Sequence, residues 1–217
     1  MPVRKVSNRG GNVIGKFPSI KMGRMIAFES LLERDFIYLL DYAPAVKWFE
    51  EQPLTIEYAF DSQVLRYTPD FHLLEGKGDV LVECKPEQCA DTEENGRKFA
   101  AARAWCAQQG WEFRLVTDRQ VRAGFHLQNV KLLTRYARQS VGPVMRGRIF
   151  ALLCDTQVPM TVNGLAKVIA PGDLARGTAS VLHLAFHHEL SLPLAEAPLS
   201  GQTLVHLAAR TQQEDQT

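Results

Sequence analysis

The chain has 217 residues, 46% of them hydrophobic, and a formal net charge of +1. That length buries one or two cores, and the charge is too balanced for a protein that coats nucleic acid by charge alone. No run of about 20 apolar residues is present, which argues against a transmembrane helix, and the basic N-terminus lacks the apolar segment of a signal peptide. The expectation is a cytoplasmic protein with no membrane partner.

Arg4, Lys5, Arg9, Lys16, Lys21 and Arg24 precede the first acidic residue, Glu29, in a stretch interrupted by Gly10, Gly11, Gly15 and Pro18. Residues 1–24 are expected to form a flexible basic arm along a DNA backbone; a solubilising tail would have the same composition. Phe28, Leu31, Leu32, Phe36, Leu39 and Leu40 then recur with helical period up to Tyr42. Ser30 and Glu33 have capping-box spacing. Glu33 therefore has two readings, a helix cap or a carboxylate aimed at a metal, and Glu29 competes for the second. Gln52 precedes a strand over residues 54–60, where Gln52-Pro53 could serve as a turn.

The stretch Arg66-Tyr67-Thr68-Pro69-Asp70-Phe71 and the following Val80-Leu81-Val82-Glu83-Cys84-Lys85 carry the chemistry. Residues 71–74 can leave along one strand, 75–79 turn, and 80–84 return. Such a hairpin sets Asp70 beside Glu83, and Lys85 shares the face of Glu83. Two carboxylates can hold Mg²⁺, which prefers oxygen ligands. A lysine beside them can orient an attacking water or offset phosphate charge. Pro-Asp and Glu-x-Lys are each common by chance; in this order on strands they point to a nuclease.

A helix over residues 92–109, stopped by Gly110, and an alternating strand over 111–117 complete a strand–helix–strand crossover. Arg97 and Lys98 could meet a phosphate or merely be solvated. Arg114, Arg119, Arg122, Lys131, Arg135 and Arg138 make a second basic stretch, for DNA or a partner. Cys84, Cys89, Cys106 and Cys154 lack paired spacing and read as reduced thiols.

After Arg138 the pattern becomes short helices at 144–153, 162–169 with Thr161 as cap, and 174–188, followed by strand-like 191–195 and 203–207. This suggests a winged-helix-like module with residues 173–188 as recognition helix; with Arg176 almost its only base, protein docking is an equal reading. His183, His187 and His188 have helical spacing but no third ligand, so zinc is the weaker reading.

Residues 28–35, Gln52-Pro53, Tyr67-Thr68-Pro69-Asp70-Phe71 and Val82-Glu83-Cys84-Lys85-Pro86, taken in order, resemble the TnsA family, the endonuclease subunits of heteromeric bacterial transposases. The resemblance covers about residues 25–138 and implies an α/β restriction-endonuclease-like core of the PD-(D/E)xK superfamily, a mixed sheet flanked by helices. Residues 139–217 would form a small helical, winged-helix-like or partner-docking domain. It maps Glu33, Asp70 and Lys85 onto the family's catalytic residues, with Glu83 at its Glu/Gln position and the Cys84 carbonyl as a further metal donor. It favours Glu33 over Glu29 and puts Gln52-Pro53 near the site. It further implies one or two Mg²⁺ ions, with Mn²⁺ as a substitute, and cleavage at the 5′ transposon ends in double-stranded DNA. A TnsB-like transposase and a TnsC-like ATPase regulator would be its partners. A stand-alone nuclease of phage, restriction or repair type and a non-enzymatic DNA-bridging adaptor are the alternatives.

Overall fold

The structure is a computed structural model that describes residues 13–155 and 159–209. The chain divides into two compact units between Ala123 and Gly124.

In the first unit, β1 (Gly15–Pro18) and β2 (Met25–Phe28) form an antiparallel hairpin. Its connection is tied to helix α1 (Leu31–Tyr42). The Ser19 hydroxyl and the amides of Ile20 and Lys21 all donate to Asp41, the two amides at 3.0 Å. The Lys21 ammonium donates to the carbonyls of Leu40 (2.6 Å), Ala43 and Val46 (2.6 Å). It thereby satisfies acceptors that the end of a helix leaves open. Burial lowers its pKa to about 8. Arg24 grips Glu51 with two nitrogens, at 2.9 and 2.7 Å. The expectation of a flexible arm over residues 1–24 is thus corrected for residues 13–24. Lys21 and Arg24 are fastened to the core, because buried acceptors far along the chain demand donors. Lys16 stays exposed on β1, and Arg4, Lys5 and Arg9 lie outside the described residues.

Ser30 caps α1 as its spacing predicts. The sheet has the order β3 (Val46–Glu51), β6 (Phe71–Glu75), β7 (Gly78–Lys85), β8 (Glu112–Thr117). The first three strands are antiparallel and β8 runs parallel to β7. Between β3 and β6 the chain makes a separate hairpin, β4 (Ile56–Phe60) and β5 (Gln63–Tyr67). Asp61 and Ser62 make its turn, both with positive φ. Only the first of these two strands is foreshadowed by the sequence pattern. A short helix, α2 (Glu87–Ala90), precedes α3 (Glu93–Gln109), which is capped by Thr92 and stopped by Gly110 at φ +72. That left-handed residue is the glycine stop the sequence announces. Alternation gives the sheet two apolar faces. On one, Phe36 of α1 meets Phe71 edge-on. On the other, Leu81 packs with Ala102 and Cys106 of α3 and with Ile56 and Tyr67 of the hairpin. The result is an α/β core with a mixed sheet flanked by helices. A last short helix, α4 (Asp118–Val121), closes the unit.

The second unit opens with α5 (His126–Thr134), a helix that the sequence pattern does not single out. Its buried Asn129 donates to the carbonyls of Leu194 (2.8 Å) and Ala197 (2.7 Å) and accepts from the Leu199 amide (2.8 Å). This side chain ties α5 to the C-terminal unit, upstream of the boundary expected after residue 138. Then follow α6 (Pro143–Asp155), β9 (Met160–Thr161), α7 (Val162–Ile169), α8 (Leu174–Phe186), β10 (Leu190–Ser191) and β11 (Leu204–Leu207), with strand order β10–β11–β9. Gly177 lets α7 and α8 cross closely, since a Cβ there would collide with the backbone of Ala166. Leu174, Ala175 and Arg176 are exposed, but α8 is largely buried from Gly177 onward. A helix apolar on most sides packs into a core, and the first turn of α8 is the part left exposed before Gly177. Among the described residues, no helix is long and apolar enough to cross a membrane.

Candidate active site

Three strand ends converge on one row. Phe71 pairs with Val82, so the next step of the antiparallel ladder sets Asp70 opposite Glu83. On the other side Glu51 pairs with Phe71, and the Gln52 amide donates to the Asp70 carbonyl at 2.8 Å. The hairpin expected from the sequence therefore brings Asp70 and Glu83 together. A carboxylate oxygen of Asp70 accepts from the Cys84 amide at 2.7 Å. Glu83 is buried, with one oxygen 2.7 Å from the Lys85 ammonium and the other accepting from the Tyr67 hydroxyl at 2.7 Å.

The electrostatics follow from burial. Desolvation pushes the Asp70 carboxyl well above its ordinary value, reinforced by Glu83 and Glu33; Lys85 offsets only part of this. Desolvation also raises the Cys84 thiol, with Asp70, Glu33 and Glu83 adding to it, and the Tyr67 hydroxyl, with Glu83 second. For Lys85, burial alone would lower the ammonium; Glu83, Asp70 and Glu33 outweigh it and raise its pKa. Buried carboxylates with insufficient compensating charge make a place for a cation.

Glu33 lies close enough to feel Glu83, yet it faces its own helix. Its oxygens accept from the Glu29 amide (2.7 Å) and the Ser30 hydroxyl (2.8 Å), while Ser30 Oγ accepts from the Glu33 amide (3.1 Å). The capping reading is thus realised. Burial, first, and the charges of Glu29 and Glu83 raise the Glu33 carboxyl. Among the described residues no three His, Cys, Asp or Glu side chains stand together as a ready metal cage. The reason is visible here: Glu33 is turned onto the helix end, and Glu83 is engaged by Tyr67 and Lys85.

Arg97 and Lys98 make ion pairs with Glu93 (2.6 Å) and Glu94 (2.5 Å) one turn back, and the Arg97 guanidinium lies 4.0 Å over the Phe60 ring. Their structural partners suit the plainer reading. In the second unit, His183 and His187 bond the carbonyls of Tyr136 (3.0 Å) and Ala137 (2.9 Å), which gives both rings a structural task.

Tyr67 belongs to the site although its sequence context assigns it no role. Its place at the inner end of β5, three residues before Asp70, is the one local signal, and the Glu83 contact depends on how the hairpin folds over the sheet.

Residues 43–118 match the family model described as TnsA-like endonuclease N terminal. No curated protein matches the chain. The matched segment contains Gln52, Tyr67, Asp70, Glu83 and Lys85; Glu33 lies before it.

Proposed function

From the TnsA-like endonuclease domain that the chain carries over residues 43–118, we propose that it is the DNA-cleaving subunit of a multi-protein transposase. It would cut the 5′ ends of the element, while a TnsB-like subunit processes the 3′ ends and a TnsC-like ATPase regulates both. The observation that carries this reading is Asp70 facing Glu83 across β6 and β7, with Lys85 on the Glu83 carboxylate, inside the matched segment.

The donor types suit a hard divalent cation: Asp70 and Glu83 stand opposite one another on adjacent strands and offer carboxylate oxygens. Mg²⁺, or Mn²⁺ in its stead, would be held by Asp70, Glu83 and the Cys84 carbonyl, with Glu33 joining once released from Ser30 and Glu29. When bound, such an ion makes water more acidic and offsets charge on the phosphate. The protein residues do the remaining tasks. The Cys84 amide holds Asp70, and Tyr67 fixes the orientation of Glu83. Lys85, charged at neutral pH, donates to the scissile phosphate or orients the attacking water.

For the second unit we propose a winged-helix-like module that docks a protein partner or DNA. The support is β9 lying between α6 and α7, with β10 and β11 as the returning hairpin beside it. Arg4, Lys5, Arg9 and Lys16 are the proposed contacts to the DNA backbone.

A strand-specific cleavage assay on transposon-end DNA, with the neighbouring transposase proteins and Mg²⁺, tests the proposal. Cuts confined to 5′ ends and abolished by Asp70→Ala or Lys85→Ala are expected. Unchanged 5′ cutting by a folded Asp70→Ala protein would remove the assignment.

A further inference from the structure

We infer that Gln52 is a positioning residue of the cleavage site, its side-chain oxygen holding a water beside Asp70. The inference rests on the nuclease reading above. The ladder that sets Glu51 opposite Phe71 continues by one step, through the Gln52 amide to the Asp70 carbonyl at 2.8 Å. Since Asp70 in turn stands opposite Glu83, Gln52, Asp70 and Glu83 form one row across three strands.

Two features of Gln52 are costly for a purely structural residue. Its backbone has φ +47, in the left-handed region that disfavours a side chain of this kind. Glycine or asparagine would occupy it with less strain. The residue is also only 8% exposed, and its Oε1 has no hydrogen-bond partner among the described residues. A buried acceptor without a donor is destabilising, and an apolar side chain of similar volume would avoid that cost. The surroundings do not yield to relieve it. Glu51 is held by Arg24 and accepts from the Ala27 amide at 3.2 Å, and Pro53 fixes the next φ.

A strained backbone and an unmet acceptor in the same residue, one ladder step from Asp70, point to a ligand that brings its own donor. Water is that ligand. A carboxamide oxygen is neutral, so it takes a hydrogen bond from water without adding to the negative charge of Asp70 and Glu83. Holding one O–H in this way leaves the water's lone pairs directed elsewhere, toward a cation or a phosphate.

The test uses the full chain and three measurements: melting in EDTA, calorimetric titration with MnCl₂, and cleavage kinetics in the complete assembly. Gln52→Met keeps length and volume but removes the oxygen. It should melt at or above wild type in EDTA, bind Mn²⁺ about tenfold more weakly, as removal of an outer-shell partner does, and show a reduced kcat with little change in KM for DNA. Gln52→Asn, which draws the oxygen back and suits the left-handed backbone, should show the same deficits and serves if the Met variant does not fold. Asp70→Ala is run in parallel. If Asp70→Ala abolishes Mn²⁺ binding and cutting while both Gln52 variants keep them, the Gln52 inference is wrong and the nuclease reading stands. If Asp70→Ala keeps both, or wild type binds no Mn²⁺, the two fall together. A lowered EDTA melting temperature in Gln52→Met with Mn²⁺ binding and cutting intact marks the oxygen as structural, and also overturns the inference.

Discussion

An ionised Asp70 is not fully compensated by the protein. Burial and the neighbouring Glu83 and Glu33 raise its folded-state pKa above the ordinary 3.8. For a carboxyl shifted upward, the folded state holds its proton longer than the unfolded chain. The cost of ionising it therefore begins as pH rises through about 3.8 and is fully present above the folded value. In EDTA, Asp70→Asn should raise the melting temperature at pH 7, with a gain that shrinks on acidification and vanishes below about pH 3.8. The same variant should not cleave. A lower melting temperature at pH 7 would mean that the charge is balanced after all. Glu33 poses a different question, because one carboxylate is offered two tasks. Ser30→Ala should cost about 1 kcal/mol of stability through removal of a cap and leave cutting intact or improved, since it releases Glu33. Glu33→Gln keeps one capping acceptor and should cut poorly with little change in melting. If neither variant alters cleavage, Glu33 is a cap alone.

The hairpin β1–β2 is fastened to α1 by charge used inside the fold. The Lys21 ammonium closes three carbonyls around the end of α1, and Asp41 collects the Ser19 hydroxyl and two amides. Lys21→Met would leave those carbonyls without their donor. A destabilisation of about 1–3 kcal/mol is expected, the cost of unsatisfied buried groups, with the salt dependence of DNA binding unchanged. A flatter salt dependence at wild-type stability would instead return Lys21 to the DNA-contact group. β4–β5 is the other element with reach: its last residue, Tyr67, meets Glu83, so the hairpin and the sheet share one site.

For the molecule as a whole, each unit has its own buried core and its own sheets. Fragments cut between Ala123 and Gly124 should each melt cooperatively by calorimetry; a fragment that only aggregates or shows no transition would tie its core to the other unit. Within the N-terminal basic stretch, the candidates for DNA contact are Arg4, Lys5, Arg9 and Lys16. Deleting residues 1–12 should flatten the log–log salt dependence of DNA binding by about 0.9 for each phosphate that is no longer neutralised, with stability unchanged. An unaltered slope would leave the segment without a DNA role.

What the sequence determined by itself was local. Helix caps at Ser30 and Thr161, the stop at Gly110 and the turn after Glu75 each depend on a few adjacent residues. The pairing of Asp70 with Glu83 was legible for the same reason, because a short hairpin and strand alternation leave little choice of register. Tertiary structure decided the rest. That Lys21 and Arg24 serve the core, that Asn129 ties α5 to the second unit, and that Tyr67 holds Glu83 are all contacts between residues far apart in the chain. Their composition reads equally well as a basic arm, a surface helix or a strand end. Gln52 shows the limit most directly. Its strain and its unmet oxygen exist only once β3 is laid against Asp70, because burial and backbone conformation are imposed by the fold and not by the residue's neighbours in sequence.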